Sequence, residues 1–187
     1  MKDMKPYTPD PKRAVLALVD IQERLLTAIP AVTSAALTRA AAALTGAAHE
    51  FGFPVLLTEQ YPRGLGPTAT VLRSLLPDTP VIEKLVFNAC AVPEFQNRLG
   101  DCPQDVILCG IEAHVCVLQT AFALQQAGHR VFIAADAVAS RKKLDWKIGL
   151  DLMRQSGMVI GTSEIFLFGM LEAAGTDRFK KLSALVK

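Results

Sequence analysis

The 187-residue sequence has no uninterrupted apolar run of about 18 residues, the length at which a membrane-spanning helix is expected. Half of its residues are hydrophobic, but they occur in short runs. The first 13 residues, MKDMKPYTPDPKR, are polar and rich in proline, and they lack the apolar core of a secretory signal. We therefore expect no association with membranes.

Cysteine is scarce and scattered. The four cysteines, Cys90, Cys102, Cys109 and Cys116, include no pair with C-x-x-C spacing. A chain of this length can bury a substantial core and needs no disulfide framework. We predict reduced thiols and a cytoplasmic location.

The sequence also lacks a strong charge bias and any nucleotide-binding motif. Its net charge is +2, and its basic residues cluster only at 141–143 and 180–181, where a solvated face is the simpler interpretation. It contains neither G-x-G-x-x-G nor G-x-x-x-x-G-K. We expect no nucleic-acid partner and no cofactor, and a small molecule as the substrate.

Short apolar runs alternate with helical patterns along the whole chain. They predict strands at 14–19, 54–58, 81–83, 106–110, 130–134 and 158–160. Helices are predicted at 34–51, 69–76, 93–99, from about 114 to 128, and at 145–155, 162–168 and 177–185. The alternation predicts a single α/β domain over 1–187, with 1–13 as an extended arm. The expected fold is a three-layer α-β-α sandwich around a Rossmann-like parallel sheet of about six strands.

The stretch 106–124, VILCGIEAHVCVLQTAFAL, changes from a buried strand to an amphipathic helix after Gly110. Cys116 falls in the first turn of that helix, where the free backbone N–H groups and the helix dipole favour negative charge. The pattern therefore predicts a stabilised thiolate, which is the nucleophilic form of cysteine. The alternative is that Cys116 is a small buried hydrophobic residue.

Two further polar residues follow predicted strands. Asp20 comes directly after 14–19, and Lys84 directly after 81–83. Asp20 could instead cap the next helix, and Lys84 could be an ordinary exposed lysine. At the carboxyl edge of one sheet, however, Asp20, Lys84 and Cys116 form a complete set: the carboxylate takes the thiol proton and the ammonium stabilises the thiolate.

The segment EQYPRGLGPT after the second strand is rich in glycine and proline and too polar to bury. Loops at this edge carry binding groups, so Glu59, Gln60 and Tyr61 are candidates for a pocket rim. An ordinary turn is the alternative. The full set of predicted substrate-binding residues is Gln22, Leu25, Gln60, Tyr61 and Phe87, which suit a small, partly apolar acyl group.

Three motifs resemble those of the isochorismatase-like cysteine hydrolase superfamily, which includes nicotinamidases. They are LVDIQ with Asp20, EK with Lys84 and GIEAHVCV with Cys116, and the resemblance extends from about 14 to 164. The strings TEQYPRGLGPT, RQSG and TSE are most similar to the isochorismatase domain-containing subgroup. The resemblance implies an Asp–Lys–Cys triad, a cis peptide between Ile111 and Glu112, and an oxyanion hole made by the backbone N–H groups of Glu112 and Cys116.

Departures from the family pattern narrow the function. The loop TEQYPRGLG has no Asp and no His, the residues that hold the metal of nicotinamidases, so we expect no catalytic metal. A retained cysteine fits C–N hydrolysis through a thioester better than isochorismate hydrolysis. His114 is a poor alternative base for Cys116, because residues two apart on a helix point in different directions.

The sequence therefore predicts a metal-independent cysteine hydrolase of a small amide or related C–N substrate. The alternative is a non-catalytic scaffold or binding protein that keeps the fold and works as an oligomer. The alanine-rich helix at 34–51 and the apolar tail with Leu182, Leu185 and Val186 suggest more nonpolar surface than one sheet covers. We therefore expect a homo-oligomer, a dimer or larger, as the resemblance also implies.

Overall fold

The computed structural model describes residues 4–100, 102–171 and 173–186, and within them six parallel strands form one sheet. The sheet order is β3-β2-β1-β4-β5-β6, so the order reverses between β1 and β4. The strands are β1 Ala14–Val19, β2 Val55–Gln60, β3 Val81–Lys84, β4 Asp105–Ile111, β5 Arg130–Ala139 and β6 Val159–Gly161. The predicted α/β fold with a Rossmann-like parallel sheet is confirmed.

Helices cover both faces of the sheet. They are α1 Glu23–Thr27, α2 Ala31–Phe51, α3 Pro62–Leu65, α4 Thr70–Leu75, α5 Pro93–Leu99, α6 Cys116–Gln126, α7 Lys143–Gln155, α8 Ser163–Gly169 and α9 Asp177–Ala184. None of the helices in the described ranges has the length and apolar character required to cross a membrane.

The sheet divides the core in two because successive strand residues point to opposite faces. In β1, Leu16 and Leu18 face the cluster formed with α2, α4, α8 and α9, whereas Val15, Ala17 and Val19 face the cluster formed with α5, α6 and α7. All six residues of β1 and all seven of β4 are buried. The continuous apolar runs in these strands thus reflect a sheet that is covered on both sides.

Two strands, β2 and β5, continue at least two residues beyond their predicted ends. β2 continues to Gln60, so Glu59 and Gln60 belong to the strand and not to the following loop. β5 continues to Ala139 because its pairing with β4 contains a bulge: Leu108 pairs with Ile133, but Gly110 pairs with Val138. Residues 135–139, which were predicted to follow the strand, are therefore part of β5.

The C-terminal helix covers apolar surface that the sequence assigned to a partner subunit. Leu182 of α9 is buried in the core that includes α2. Leu185 lies directly against Gly46, where a Cβ atom would collide with its side chain. The expected nonpolar surface is therefore covered in part within one chain, although Leu185 is still 45% exposed.

At the amino edge of the sheet, Asp105 begins β4 and is completely buried. Its Oδ2 accepts hydrogen bonds from the N–H of Asp10 at 2.8 Å and from Arg130 Nη1 at 3.0 Å. Its Oδ1 lies 2.9 Å from Arg13 Nη2, an ion-pair contact without hydrogen-bond geometry. Arg130 also donates to the carbonyl oxygen atoms of Lys5 and Pro6, and so holds the N-terminal arm against the sheet. The first three residues of the predicted arm lie outside the described residues.

Candidate active site

The carboxyl edge of the sheet brings Asp20, Lys84 and Cys116 together. Asp20 follows β1, Lys84 ends β3, and Cys116 begins α6 after β4. β2 lies between β1 and β3, so the long lysine side chain spans a strand to reach the aspartate. Lys84 Nζ is 2.6 Å from Asp20 Oδ2, and the Cys116 thiol lies close enough to both side chains for each of them to shift its pKa.

Asp20 is fixed by the neighbouring strand. Its side chain is fully buried, its Oδ1 accepts a hydrogen bond of 2.6 Å from Thr58 Oγ1, and its N–H donates to the carbonyl oxygen of Thr58. The residue adopts a φ of 55°, a left-handed conformation that Asp tolerates better than most residues. Asp20 does not cap the next helix, because α1 starts at Glu23 with Gln22 in the N-cap position. Its carboxylate is therefore held towards the lysine and the thiol.

Lys84 is enclosed by hydrogen-bond acceptors. Besides Asp20, its Nζ donates to Gln60 Oε1 at 2.7 Å and lies within 3.3 Å of the carbonyl oxygen atoms of Val86 and Phe87. None of its side chain is exposed. A buried ammonium is stable only when paired and hydrogen-bonded, and these contacts meet that condition. The alternative of an ordinary exposed lysine is excluded.

Cys116 is the first residue of α6 and is 6% exposed. Burial raises the pKa of its thiol, and the charge of Asp20 raises it further, to about 12, although the charge of Lys84 acts in the opposite direction. The expectation of a stabilised thiolate is therefore wrong for the resting residue. Desolvation and the nearby carboxylate outweigh the lysine and the helix terminus, so the resting site holds a thiol.

The turn before Cys116 is unusual in its backbone. The peptide bond between Ile111 and Glu112 is cis, at the position that the resemblance implied. Gly110 has a φ of 148°, and a Cβ atom there would collide with the carbonyl oxygen of Val19. Only glycine allows β4 to approach the end of β1 so closely. The turn consequently leaves the sheet beside Asp20.

Two backbone donors in this turn are available. Within residues 4–100, 102–171 and 173–186, the N–H groups of Glu112 and Cys116 donate no hydrogen bond. The carbonyl oxygen of Glu112, by contrast, accepts from the N–H groups of Val115 and Val117. Free N–H groups at the start of a helix can bind an oxygen atom that carries negative charge.

The side chains of this turn contact the loop between β5 and α7. Glu112 Oε1 accepts hydrogen bonds from the N–H and Nε of Arg141, both at 3.0 Å. Burial alone would raise the pKa of Glu112, but the hydrogen bonds and charge of Arg141 lower it. His114 Nδ1 is 3.0 Å from Ser140 Oγ, and its Nε2 is 3.9 Å from an oxygen of Asp145. The partners of the His114 imidazole are Ser140 and Asp145, so these contacts do not support a role for His114 as the base for Cys116.

The residues predicted to bind substrate lie in two kinds of environment. Gln22 is completely buried, and its amide group joins the backbone of Gln60 and Gly66. Gln60 holds Lys84. Leu25 is half-buried against the core, whereas Tyr61 and Phe87 are about half exposed. Their role in substrate binding stays a prediction, but the two glutamines have clear structural partners.

Glu59 has a structural role that the sequence did not indicate. Its Oε1 accepts hydrogen bonds from the N–H of Thr68 at 2.6 Å and from Thr68 Oγ1 at 2.7 Å. It thus ties the loop after α3 to β2. Thr58 was also missed. A hydroxyl residue at the end of the apolar run PVLLT was the available signal, because a buried hydroxyl group needs a hydrogen-bond partner.

Metal ligands are not clustered near the triad. Among the residues that the structure describes, no group of three or more His, Cys, Asp or Glu side chains could hold a metal ion. The loop from Tyr61 to Thr68 brings no carboxylate or imidazole to the site. A metal-independent reaction remains the prediction.

The fold and the edge residues define a parallel α/β protein with a buried cysteine at the strand-order reversal. The isochorismatase domain model matches residues 14–165, and the chain therefore belongs to the isochorismatase family. Isochorismatase domain-containing protein 2 of Danio rerio is 38% identical over 177 residues, which cover 94% of this chain and 87% of that protein.

Two solved structures are similar over nearly the whole chain. The structure of MAR1 ribonuclease from Caenorhabditis elegans has a TM-score of 0.89 and 34% identity, covering 96% of this chain and 92% of that one. The YcaC gene product of Escherichia coli, described as an octameric hydrolase of unknown specificity, has a TM-score of 0.82 and 25% identity, covering 99% and 91%. These similarities place the chain among isochorismatase-like hydrolases.

Proposed function

We propose that this protein is a metal-independent cysteine hydrolase that cleaves a small amide or a related C–N bond with Asp20, Lys84 and Cys116. The observation that carries the proposal is the buried ion pair of 2.6 Å between Lys84 and Asp20, beside the Cys116 thiol, whose pKa both side chains influence. A fully buried ion pair adds little to stability by itself. The ion pair lies beside the Cys116 thiol at the start of α6, so it can take part in proton transfer from the thiol.

Asp20 serves as the general base in the first step. The pKa of about 12 keeps the Cys116 thiol protonated at rest, so the proton has to leave as the sulfur attacks. Asp20 lies beside the thiol and takes this proton. Lys84 stays charged and stabilises the thiolate that forms.

The thiolate attacks the carbonyl carbon of the substrate, and the C=O π bond becomes a C–O⁻ group. The unbonded N–H groups of Glu112 and Cys116 then donate hydrogen bonds to this oxyanion, a contribution worth on the order of 3 kcal/mol per donor in comparable sites. The C–N bond breaks as Asp20 returns its proton to the leaving nitrogen. The products of this half-reaction are a free amine or ammonia and a thioester on Cys116.

Water completes the reaction. Asp20, ionised again, takes a proton from water as the water oxygen attacks the thioester, and collapse of the adduct releases a carboxylic acid and returns the thiol. The sum is amide plus water to acid plus amine, with no net change in the protein. All steps use residues of this chain, and none requires a metal.

The experiment is a panel of small primary and N-substituted amides, each incubated with the purified protein and analysed for release of ammonia or amine and for a covalent adduct on Cys116 by mass spectrometry. We expect release of the ammonia or amine and an adduct with the mass of the acyl group. The Cys116→Ala protein should show neither, and Cys102→Ala, at an exposed cysteine, should behave as wild type. Amine release that persists in Cys116→Ala contradicts the proposal, and a folded protein inert to every amide favours the scaffold alternative.

One similar structure is described as a ribonuclease, so a single-stranded RNA oligonucleotide belongs in the same panel. The short basic runs of this chain and its net charge of +2 offer little attraction for phosphates, and we expect no cleavage. RNA cleavage that disappears in Cys116→Ala would overturn the choice of substrate class.

We also propose that the protein forms a homo-oligomer. The supporting observations are the octameric state ascribed to YcaC and three consecutive exposed apolar residues, Leu85, Val86 and Phe87, directly after Lys84. Exposed apolar surface of this kind favours burial against another subunit. Light scattering at micromolar concentration should give a mass at least twice that of the 20.2 kDa chain, and a monomer mass would contradict this proposal.

A further inference from the structure

A cleft of about 470 Å³ lies at the carboxyl edge of the sheet, next to the turn that precedes Cys116. One wall comes from the start of α2 with Val32, and the other from the end of β5 and the start of α7 with Val138, Arg141, Lys143 and Trp146. Its volume and mixed lining are those of a site for a small ligand, which usually combines apolar walls with a few polar groups.

The cleft is joined to the candidate active site by hydrogen bonds. Arg141 lines the cleft and donates to Glu112, whose N–H is one of the proposed oxyanion donors. Ser140 also lines the cleft and is bonded to His114, two residues before Cys116. Hydrogen bonds thus connect the wall of the cleft to the turn that precedes Cys116.

The charged side chains that line the cleft differ in whether other residues already occupy their hydrogen-bonding groups. The carboxylate of Asp136, which also lines it, is occupied by the N–H of Ser163 at 2.7 Å and by its Oγ at 2.6 Å. Arg141 uses its backbone N–H and Nε for Glu112, and its two terminal amino groups make no hydrogen bond within the described residues, although the charge of Asp145 also acts on the guanidinium. The Lys143 ammonium also lacks an ion-pair partner in the described part of the chain.

From these contacts we propose that the cleft binds a small organic carboxylate, which on the proposed function is a second, distal carboxylate of the amide substrate. The free end of the Arg141 guanidinium offers two parallel N–H donors, the geometry that matches a carboxylate. Lys143 adds a second positive charge, and the apolar wall accepts a short carbon chain. The substrate class is therefore an amide that carries a negative charge a few carbon atoms from the scissile bond.

Trp146 provides a direct readout of binding. It is the only tryptophan of the chain, and its Nε1 donates to the carbonyl oxygen of Val138, which fixes the ring in the cleft wall. The Cys116→Ala protein, which cannot turn over an amide, is titrated with butyrate and with its neutral counterpart butanamide at constant ionic strength. We expect a saturable change in Trp146 fluorescence with butyrate, and binding of butanamide at least about tenfold weaker.

Matched variants identify the cations. Arg141→Gln should weaken butyrate binding by about tenfold, and Lys143→Gln by about threefold. Lys142→Gln removes the cation between them, whose exposed side chain is not part of the cleft lining, and should leave binding unchanged. The absence of saturable binding, or an equal loss in Lys142→Gln and Arg141→Gln, overturns the proposal.

A kinetic arm connects the cleft with the reaction. With the wild-type protein, kcat/KM for succinamate should exceed that for butanamide by about tenfold, and Arg141→Gln should remove this preference. Hydrolysis of both amides at equal rates would overturn the role of the cleft in substrate choice. If no amide is hydrolysed, the proposed function fails, whereas the fluorescence titration still decides whether the cleft binds carboxylates.

Discussion

Asp20 and Asp105 are both completely buried carboxylates, but they lie at opposite edges of the same parallel sheet. Asp20 is paired with Lys84, whose side chain is equally buried. Asp105 is paired with Arg13 and Arg130, whose side chains are 41% and 38% exposed. The Asp20–Lys84 ion pair is therefore shielded from water, whereas the arginine partners of Asp105 are partly exposed to it.

On the proposed function, this difference distinguishes the reacting site from a structural ion-pair cluster. At the amino edge, the arginines fix the N-terminal arm and β5 around Asp105, and their exposed ends can be hydrated whatever happens to the aspartate. At the carboxyl edge, Lys84 depends entirely on protein acceptors. A change at Asp20 therefore leaves a buried charge unpaired, whereas a change at Asp105 does not.

The largest expected effect is the loss of amide hydrolysis in Cys116→Ala, by about 10⁴-fold or more, because the nucleophile itself is removed. The fold should remain, since one small side chain contributes no more than about 1–2 kcal/mol to the core. Steady-state kinetics and circular dichroism measure the two effects. Cys116→Ser, which keeps the side-chain volume but not the reactive sulfur, should be similarly inactive.

The second-largest expected effect is that of Asp20→Asn, which should lower both the activity and the stability of the protein. Activity should fall by about 10³–10⁴-fold, and the free energy of unfolding should decrease by about 3–5 kcal/mol because Lys84 is left without its counter-charge. Lys84→Ala should be impaired to a comparable degree. The losses of activity should not add in Asp20→Asn/Lys84→Ala, and additive losses in kinetics would show that the residues do not act as a unit.

Asp105→Asn is the matched change at the amino edge. We expect a loss of only about 1–3 kcal/mol in the free energy of unfolding, because the two arginines become hydrated. The kcat per folded molecule should be unchanged. Urea unfolding together with active-site titration measures both quantities, and a kcat reduced as strongly as in Asp20→Asn would remove the distinction between the two edges.

A smaller effect concerns alkaline pH. The unfolded chain releases thiol protons near the ordinary pKa of 9.0, whereas burial raises the pKa of Cys90 to about 11 and that of Cys116 to about 12. Their contribution to stability is complete below pH 9 and is lost as the pH rises towards 11–12. The melting temperature should therefore be lower at pH 10 than at pH 8. Cys90→Ala should reduce the difference, and Cys102→Ala should not.

The smallest effect is expected from a strong metal chelator. Dialysis against the chelator should change neither the rate of amide hydrolysis nor the melting temperature, because no described carboxylate or imidazole cluster holds a metal at either edge. Metal analysis before and after dialysis is the measurement. A stoichiometric metal that leaves together with activity would contradict the expectation.

The sequence predicted what depends on neighbouring residues along the chain. Asp20 follows β1, Lys84 ends β3 and Cys116 begins α6. The apolar pattern of each of these elements is local, so the position of the three residues at strand or helix ends could be inferred. The order of the strands could not, because pairing of β1 with β4 joins segments about ninety residues apart. The extension of β5 depends on a bulge opposite β4, which no local pattern indicates.

The electrostatics were the least accessible to sequence reasoning. The start of a helix favours a thiolate, but the actual shift at Cys116 is set by its burial and by Asp20, which come from tertiary structure. Likewise, the carboxylate of Glu112 meets Arg141 across 29 residues of chain. Motif resemblance indicated the three residues that are proposed to react, but it could not give the direction in which the pKa of Cys116 is shifted.

The enclosure of Lys84 also constrains how charge can move through the site. Its ammonium has three hydrogen atoms, and four oxygen atoms of Asp20, Gln60, Val86 and Phe87 surround it. A neutral thiol beside an Asp–Lys pair sums to zero, and so does a protonated Asp beside a thiolate and the same lysine. In the proposed mechanism, the enclosed site therefore stays electrically neutral when the proton moves from Cys116 to Asp20. No net charge has to be created in an environment that is shielded from water.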